Sequence, residues 1–100
     1  MTEFTKNVVE IIKSIPRGSV LTYGIIAAQA GNPRGARQVA RILHSLTEKE
    51  KLPWYRVINS QGKISLEGEG ADIQENLLLQ EGVLVENGKI DLKKYLFVIK

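Results

Sequence analysis

The chain contains no cysteine. That excludes a disulfide framework, a thiolate nucleophile and any cysteine metal site. It has one histidine, His44, which cannot assemble a histidine metal site alone. No apolar run approaches the roughly 20 residues of a membrane span, so no membrane role is expected. The start, MTEFTKNVVE, lacks the positive region and apolar stretch of a secretory signal. These absences predict a soluble, cytoplasmic protein and remove much of the side-chain chemistry that enzymes use. What is present is a hydrophobic fraction of 43% in 100 residues. That is enough for a modest core, too much for a disordered chain, and predicts one domain over residues 1–100.

The net charge of +3 is unevenly spread. Residues 1–63 carry ten Lys/Arg and four Asp/Glu, a balance of +6, whereas residues 64–100 carry four Lys and seven Asp/Glu, a balance of −3. Such asymmetry fits an anionic partner for the first two thirds, with nucleic acid the first candidate. On charge alone, a mildly basic surface chosen for solubility fits equally well.

In EFTKNVVEIIKSIP, Phe4, Val8, Ile11, Ile12 and Ile15 recur at helical spacing, and Pro16 with Gly18 ends the helix. SVL reads as a short extended link. Thr22 is the expected N-cap of YGIIAAQA, with Gly31 its stop. Asn32-Pro33 reads as the N-cap and first residue of a second helix, RGARQVARILHSL. Val39, Ile42, Leu43 and Leu46 form its buried stripe; Arg34, Arg37, Gln38 and Arg41 lie mostly off it. TEKEKLP reads as a charged loop, YRVIN-SQG-KIS as a short hairpin or turn, and LEGEGAD as a flexible acidic loop. Asp72 and Glu75 form a capping-box signature for IQENLLLQE, which Gly82 stops. Asn87-Gly88 between apolar flanks signals a hairpin turn. The tail KKYLFVIK is compatible with a strand, a helical turn or a frayed end. Two short helices joined by GNP, the second rich in arginine, resemble a helix-turn-helix; an ordinary αα-hairpin would look the same.

The order of four segments is more specific than any one of them. IPRGSVLTYG, AAQAGNPRGARQVARIL, PWYRVINSQGKIS and LLLQEGV resemble, in that order, the C-terminal domain of the O6-alkylguanine-DNA alkyltransferases, from about Phe4 to Val83. Trp54 stands where those proteins hold their reactive cysteine, and Tyr55 where they hold the histidine that activates it. The chain is therefore most similar to the alkyltransferase-like proteins, which share fold and lesion recognition but accept no alkyl group.

The resemblance implies an α+β, helix-turn-helix (winged-helix-like) domain that is not an enzyme and needs no cofactor or metal. It implies a monomeric sensor of O6-alkylguanine in double-stranded DNA. The sensor would flip the damaged nucleotide and flag it for nucleotide excision repair proteins, becoming nucleoid-associated when bound. A lesion pocket of Trp54, Tyr55, Pro53 and Ser60 is expected, with Tyr23 and Arg37 as the flipping residues. Indole lacks the thiol that accepts an alkyl group and offers a flat wall with one donor. A planar guanidinium at Arg37 can fill the gap left in the stack, and the Tyr23 phenol can press on a phosphate at a helix N-terminus.

The expected DNA-binding set is Thr22, Arg34, Gly35, Ala36, Gln38, Ala40, Arg41, Arg56 and Lys63. Gly35, Ala36 and Ala40 are small enough for close approach in the minor groove, which reveals little sequence and suits a damage sensor. Arg56 is also expected to bond nearby backbone. Leu66 and Glu67 stand near where alkyltransferases carry an aromatic pocket wall and some alkyltransferase-like proteins a basic residue. Two rival readings are a sequence-specific helix-turn-helix regulator and a hydrolase. The first lacks a dimerisation segment and good base readers; the second has only His44 as a base, expected to be a surface or packing residue.

Overall fold

In the computed structural model, which describes residues 1–99, Thr2 caps the first helix. Its hydroxyl accepts the Thr5 N–H at 3.1 Å, and α1 runs Glu3–Ser14 with Val8, Val9 and Ile12 turned inward. Pro16 and Gly18, the latter at φ +87°, turn the chain towards β1, Leu21–Thr22. Thr22 is both the last strand residue and the N-cap of α2, Tyr23–Gln29, accepting the Ile25 N–H at 3.1 Å.

The second helix of the pair, α3, runs Ala36–Glu50 and differs from expectation at both ends. It does not start at Pro33. Asn32 Oδ1 accepts the Arg34 N–H at 3.2 Å and the Asn32 carbonyl accepts the Gly35 N–H at 2.9 Å, closing a separate turn. Gly35 then takes the N-cap position. At the far end the supposed loop TEKE is helical. Glu and Lys are good helix formers, and Glu50 pairs with Lys13 of α1 at 3.0 Å. Lys51, at φ +53°, ends the helix.

A single 3-10 turn, Trp54–Arg56, leads into β2, Val57–Ile58. Of the hairpin or turn expected over YRVIN-SQG-KIS, the turn forms and a pair of hairpin strands does not, among the described residues. β2 pairs in parallel with β1 instead, Leu21 opposite Val57 and Thr22 opposite Ile58. Val57 and Ile58 are both buried, as parallel pairing between two packed layers requires. What remains of the turn is the Gly62 N–H to the Asn59 carbonyl, 3.0 Å, and the Asn59 N–H to the Lys63 carbonyl, 3.1 Å.

The helix α4 spans Gly68–Gln80 and so begins within the segment read as an acidic loop. Asp72 lies inside it and forms no capping box; Glu67 holds the cap position without a side-chain bond. Burial of Gln74 and Leu78, four residues apart, fixes its inward face. Gly82 follows at φ +86°. Asn87 at φ +51° and Gly88 at φ +73° make the expected tight turn, with Glu86 and Lys89 exchanging backbone bonds at 3.0 and 2.9 Å. The tail is a helical turn followed by a strand-like contact. α5 spans Leu92–Tyr95, and the Val20 N–H and carbonyl bond Tyr95 and Phe97, both at 2.9 Å.

The strand pair divides the interior. Leu21 and Val57 face a cluster built from α1, α2 and α3, including Val8, Ile12, Ile26 and Val39. Val20 and Ile58 face a second cluster with Leu78, Val83 and Ile90. Alternation along a strand sends neighbouring side chains to opposite layers. The architecture is a helix-turn-helix with a two-stranded sheet, the expected fold class.

Candidate nucleic-acid interface

The parallel register brings the start of α2 beside the 3-10 turn. Tyr23 opens α2 and Trp54 opens the turn. Together with Ala40, Leu43, His44 and Thr47 of α3, and Ser65 and Leu66 before α4, they line an open pocket of about 470 Å³. That is the volume of a small-molecule site. Trp54 is half-buried against the first cluster, and the Tyr55 ring meets it edge-on, centroids 5.9 Å apart at 89°. The backbone beneath is pinned from α4. Gln74 Nε2, buried, donates to the Tyr55 and Val57 carbonyls, each at 3.1 Å.

The next two side chains turn the other way. Tyr55 packs on the second cluster and donates its hydroxyl to Glu81 Oε2 at 3.0 Å. Arg56 donates Nη2 to Glu81 Oε2 at 2.5 Å, Nε to both Glu81 oxygens at 3.0 and 3.1 Å, and Nη1 to the Ile15 carbonyl at 2.8 Å. Glu81 also accepts the Gly18 N–H at 3.0 Å. The Arg56 and Glu81 side chains are 15% and 3% exposed. Burial pushes the Glu81 carboxyl up, but bonds from Arg56, Gly18 and Tyr55 and the Arg56 charge outweigh it and hold the carboxyl below its ordinary range. Burial and the Glu81 hydrogen bond raise the Tyr55 phenol, and the Glu81 hydrogen bond outweighs burial to raise Arg56.

This clamp corrects two assignments. Tyr55 does not line the pocket, and Arg56 is an internal strut that directs Nε, Nη1 and Nη2 to Glu81 and Ile15. Thr22 and Gly35 are also internal. Thr22 is buried with its hydroxyl committed to the α2 cap. A side chain at Gly35 would stand 2.9 Å from the Phe4 ring and 3.1 Å from the Asn32 carbonyl, so its smallness serves packing. Pro53 and Ser60 do not line the pocket: Pro53 precedes the 3-10 turn, and Ser60 is exposed in the Asn59–Gly62 turn.

The α3 surface divides between two flanks. Ala40, His44 and Thr47 face the pocket, and Arg37, exposed, sits one turn before Ala40 on the same face. Gln38 and Arg41 lie on the other flank, lining a depression with Phe4, Asn32 and Ile42. Arg34 is exposed in the turn before α3, Ala36 is half-buried at its first position, and Lys63 is exposed beside Lys89 in a separate groove.

Sequence reasoning missed His44, Thr47 and Ser65 as pocket residues and Gln74 and Glu81 as supports. A signal existed for three of them. Gln74 is a polar residue on the inward face of an apolar helix, and Thr47 and His44 continue the spacing of Arg37 and Ala40. Among the described residues no hydrogen bond joins His44 to the Ser65 or Thr47 hydroxyl. The site offers a flat indole, a phenol, a small helix residue and an arginine at the edge, which suits holding a planar group.

Comparison with known proteins agrees with this fold. The profile of the 6-O-methylguanine DNA methyltransferase DNA-binding domain matches residues 3–83. A DNA base-flipping protein of Vibrio parahaemolyticus is 52% identical over 96 residues, covering 95% of this chain and 96% of its own length. Alkyltransferase-like protein 1 of Schizosaccharomyces pombe is 38% identical over 104 residues, covering 97% and 96% respectively. The crystal structure of S. pombe Atl1 with damaged DNA containing O6-carboxymethylguanine superposes with a TM-score of 0.87 at 37% identity, covering 99% of this chain and 98% of that one.

Proposed function

The chain belongs to the family of the 6-O-methylguanine DNA methyltransferase DNA-binding domain, and from that premise we propose that it is a non-enzymatic sensor of O6-alkylguanine in duplex DNA. The observation that carries the reading is Trp54 walling an open pocket under α3 in a chain without cysteine. With no thiol to accept an alkyl group, the lesion is held and released intact.

Magnitudes explain the selectivity. Extruding a nucleotide costs a few kcal/mol, and stacking a base on an aromatic ring returns about 1–3 kcal/mol. For an intact pair the cost exceeds that return. Alkylation of the exocyclic oxygen weakens the pair, lowers the cost and lets capture win. Arg37 offsets more of it by filling the vacated space, and Tyr23, at the N-terminus of α2, steers the phosphate. The protein acts as a monomer in the cytoplasm, associates with the nucleoid, and leaves a bound complex that nucleotide excision repair proteins act on.

The test is an anisotropy titration of two matched duplexes at one salt, one with O6-methylguanine and one with guanine, against wild type and Arg37→Ala. Salt is fixed because phosphate contacts alone scale affinity steeply with it. The expected result is lesion binding at least about tenfold tighter, a margin that Arg37→Ala abolishes, with the adduct recovered unchanged. Equal binding overturns the sensor reading and leaves a DNA-binding domain whose target is a sequence. Recovery of plain guanine overturns the non-enzymatic part.

A further inference from the structure

His44 is the feature of the pocket that the reading above does not use. It is the sole histidine, it lies on the pocket face of α3, and it is exposed rather than committed to the core. Its surroundings are chemically simple. Across the pocket stand the Trp54 indole and the Tyr23 phenol, and Ser65 and Leu66 close the side before α4. On its own helix the charged neighbours are Arg37 two turns back on the same face, Arg41 one turn back on the other flank, and Glu48 one turn on. Glu67, exposed, follows Leu66 but does not line the pocket. Thr47 donates its hydroxyl to the Leu43 carbonyl, so its proton is engaged within the helix. Imidazole is the side chain in this lining that exists either as a neutral ring with one N–H donor or as a cation with two.

We propose that His44 is a specificity-determining residue that makes the pocket favour adducts ending in an anion over neutral adducts of similar size. This deepens the sensor reading and rests on it. The protonated ring presents two N–H donors and a positive charge to a carboxylate on the adduct; the neutral ring presents one donor and no charge. An apolar alkyl chain gains nothing from either form and loses slightly when the ring beside it is charged. The preference therefore grows as pH falls. A pocket with only an aromatic wall ranks adducts by size; His44 adds a ranking by charge.

The experiment compares three duplexes identical except at one base: guanine, O6-propylguanine and O6-carboxymethylguanine. Each is titrated at about pH 6 and about pH 8, at one salt, with wild type, His44→Gln and His44→Lys. Exposed on a helix surface, position 44 tolerates either substitution without loss of fold. The affinity ratio of carboxymethyl to propyl duplexes cancels every phosphate contact, because the backbones are the same.

For wild type this ratio is expected to rise about fivefold from the higher pH to the lower. His44→Gln gives a low ratio at both pH values, and His44→Lys a high ratio at both. A wild-type ratio independent of pH, or unchanged by His44→Gln, overturns the proposal. Strengthening of all three duplexes alike at low pH also overturns it, because His44 then contacts phosphate rather than adduct. If neither adduct binds tighter than guanine, it is the sensor reading itself that has failed. Tight but pH-blind binding of both adducts leaves that reading standing and removes only the role of His44.

Discussion

Trp54 and Arg56 are two residues apart and live in opposite environments. Trp54 looks into an open pocket under α3 and is held by packing. Arg56 looks into the junction of α1, α4 and the strand pair, and four hydrogen bonds hold its guanidinium there. The one wall is left open and the other side is saturated. The difference shows how a small domain can afford a cavity: the backbone that carries the open side is locked by a clamp on the closed side. Gln74, bonded to the carbonyls of Tyr55 and Val57, completes that lock.

The contrast is broken most severely from the closed side. Glu81→Gln leaves the Arg56 charge largely buried and unpaired, and should lower unfolding free energy by about 3 kcal/mol in urea melts. A loss below about 1 kcal/mol would mean the clamp is ornamental. The same group sets an acid limit. Its folded pKa is depressed, so its contribution is fully present above the ordinary carboxylate pKa, about 4.3, and is lost as pH falls through the lower folded value. The wild-type melting temperature should therefore drop below about pH 4, and Glu81→Gln should flatten that drop.

On the open side, Trp54→Ala should cost lesion preference at least about tenfold, or 1.4 kcal/mol, in matched-duplex titrations. It should lower stability less than Glu81→Gln does; the reverse order would merge the two regions into one. Thr22→Val sits between them. Loss of the α2 cap should reduce stability by about 1 kcal/mol and leave the lesion-to-guanine ratio within about twofold, since Thr22 faces inward. The smallest effect belongs to Ser60→Ala, within about 0.5 kcal/mol in stability and without change in the lesion ratio.

These assignments also show what was legible before the structure. Helix α1 follows from the spacing of its apolar residues, the α2 cap from Thr22, and the Asn87-Gly88 turn from residues that tolerate positive φ. Each is a local signal. The start of α3 was misplaced because Asn32 can cap a helix or close a turn of its own, and the second wins here. The β1–β2 pairing joins residues far apart in sequence, and no local pattern announces it. The same limit applies to the site. The family resemblance of the motifs implies Trp54, Tyr23 and Arg37 as site residues. The directions of Tyr55 and Arg56 depend on a 3-10 turn, where successive side chains point about 120° apart. Neighbours in sequence therefore leave for different sides of the molecule, and His44 and Thr47 enter the pocket from a part of α3 that lies beyond the motifs.

The central claim is that a flipped base comes to rest against Trp54, and the chain carries its own reporter. Trp54 is its one tryptophan, so indole emission reads a single position. Wild-type protein is saturated with the O6-methylguanine duplex and, separately, with the guanine duplex, occupancy being matched by anisotropy. Stacking of the extruded base predicts a clear change in Trp54 emission with the lesion duplex and little with the guanine duplex. Identical emission from both saturated complexes would contradict the account, because DNA would then be bound without a base entering the pocket.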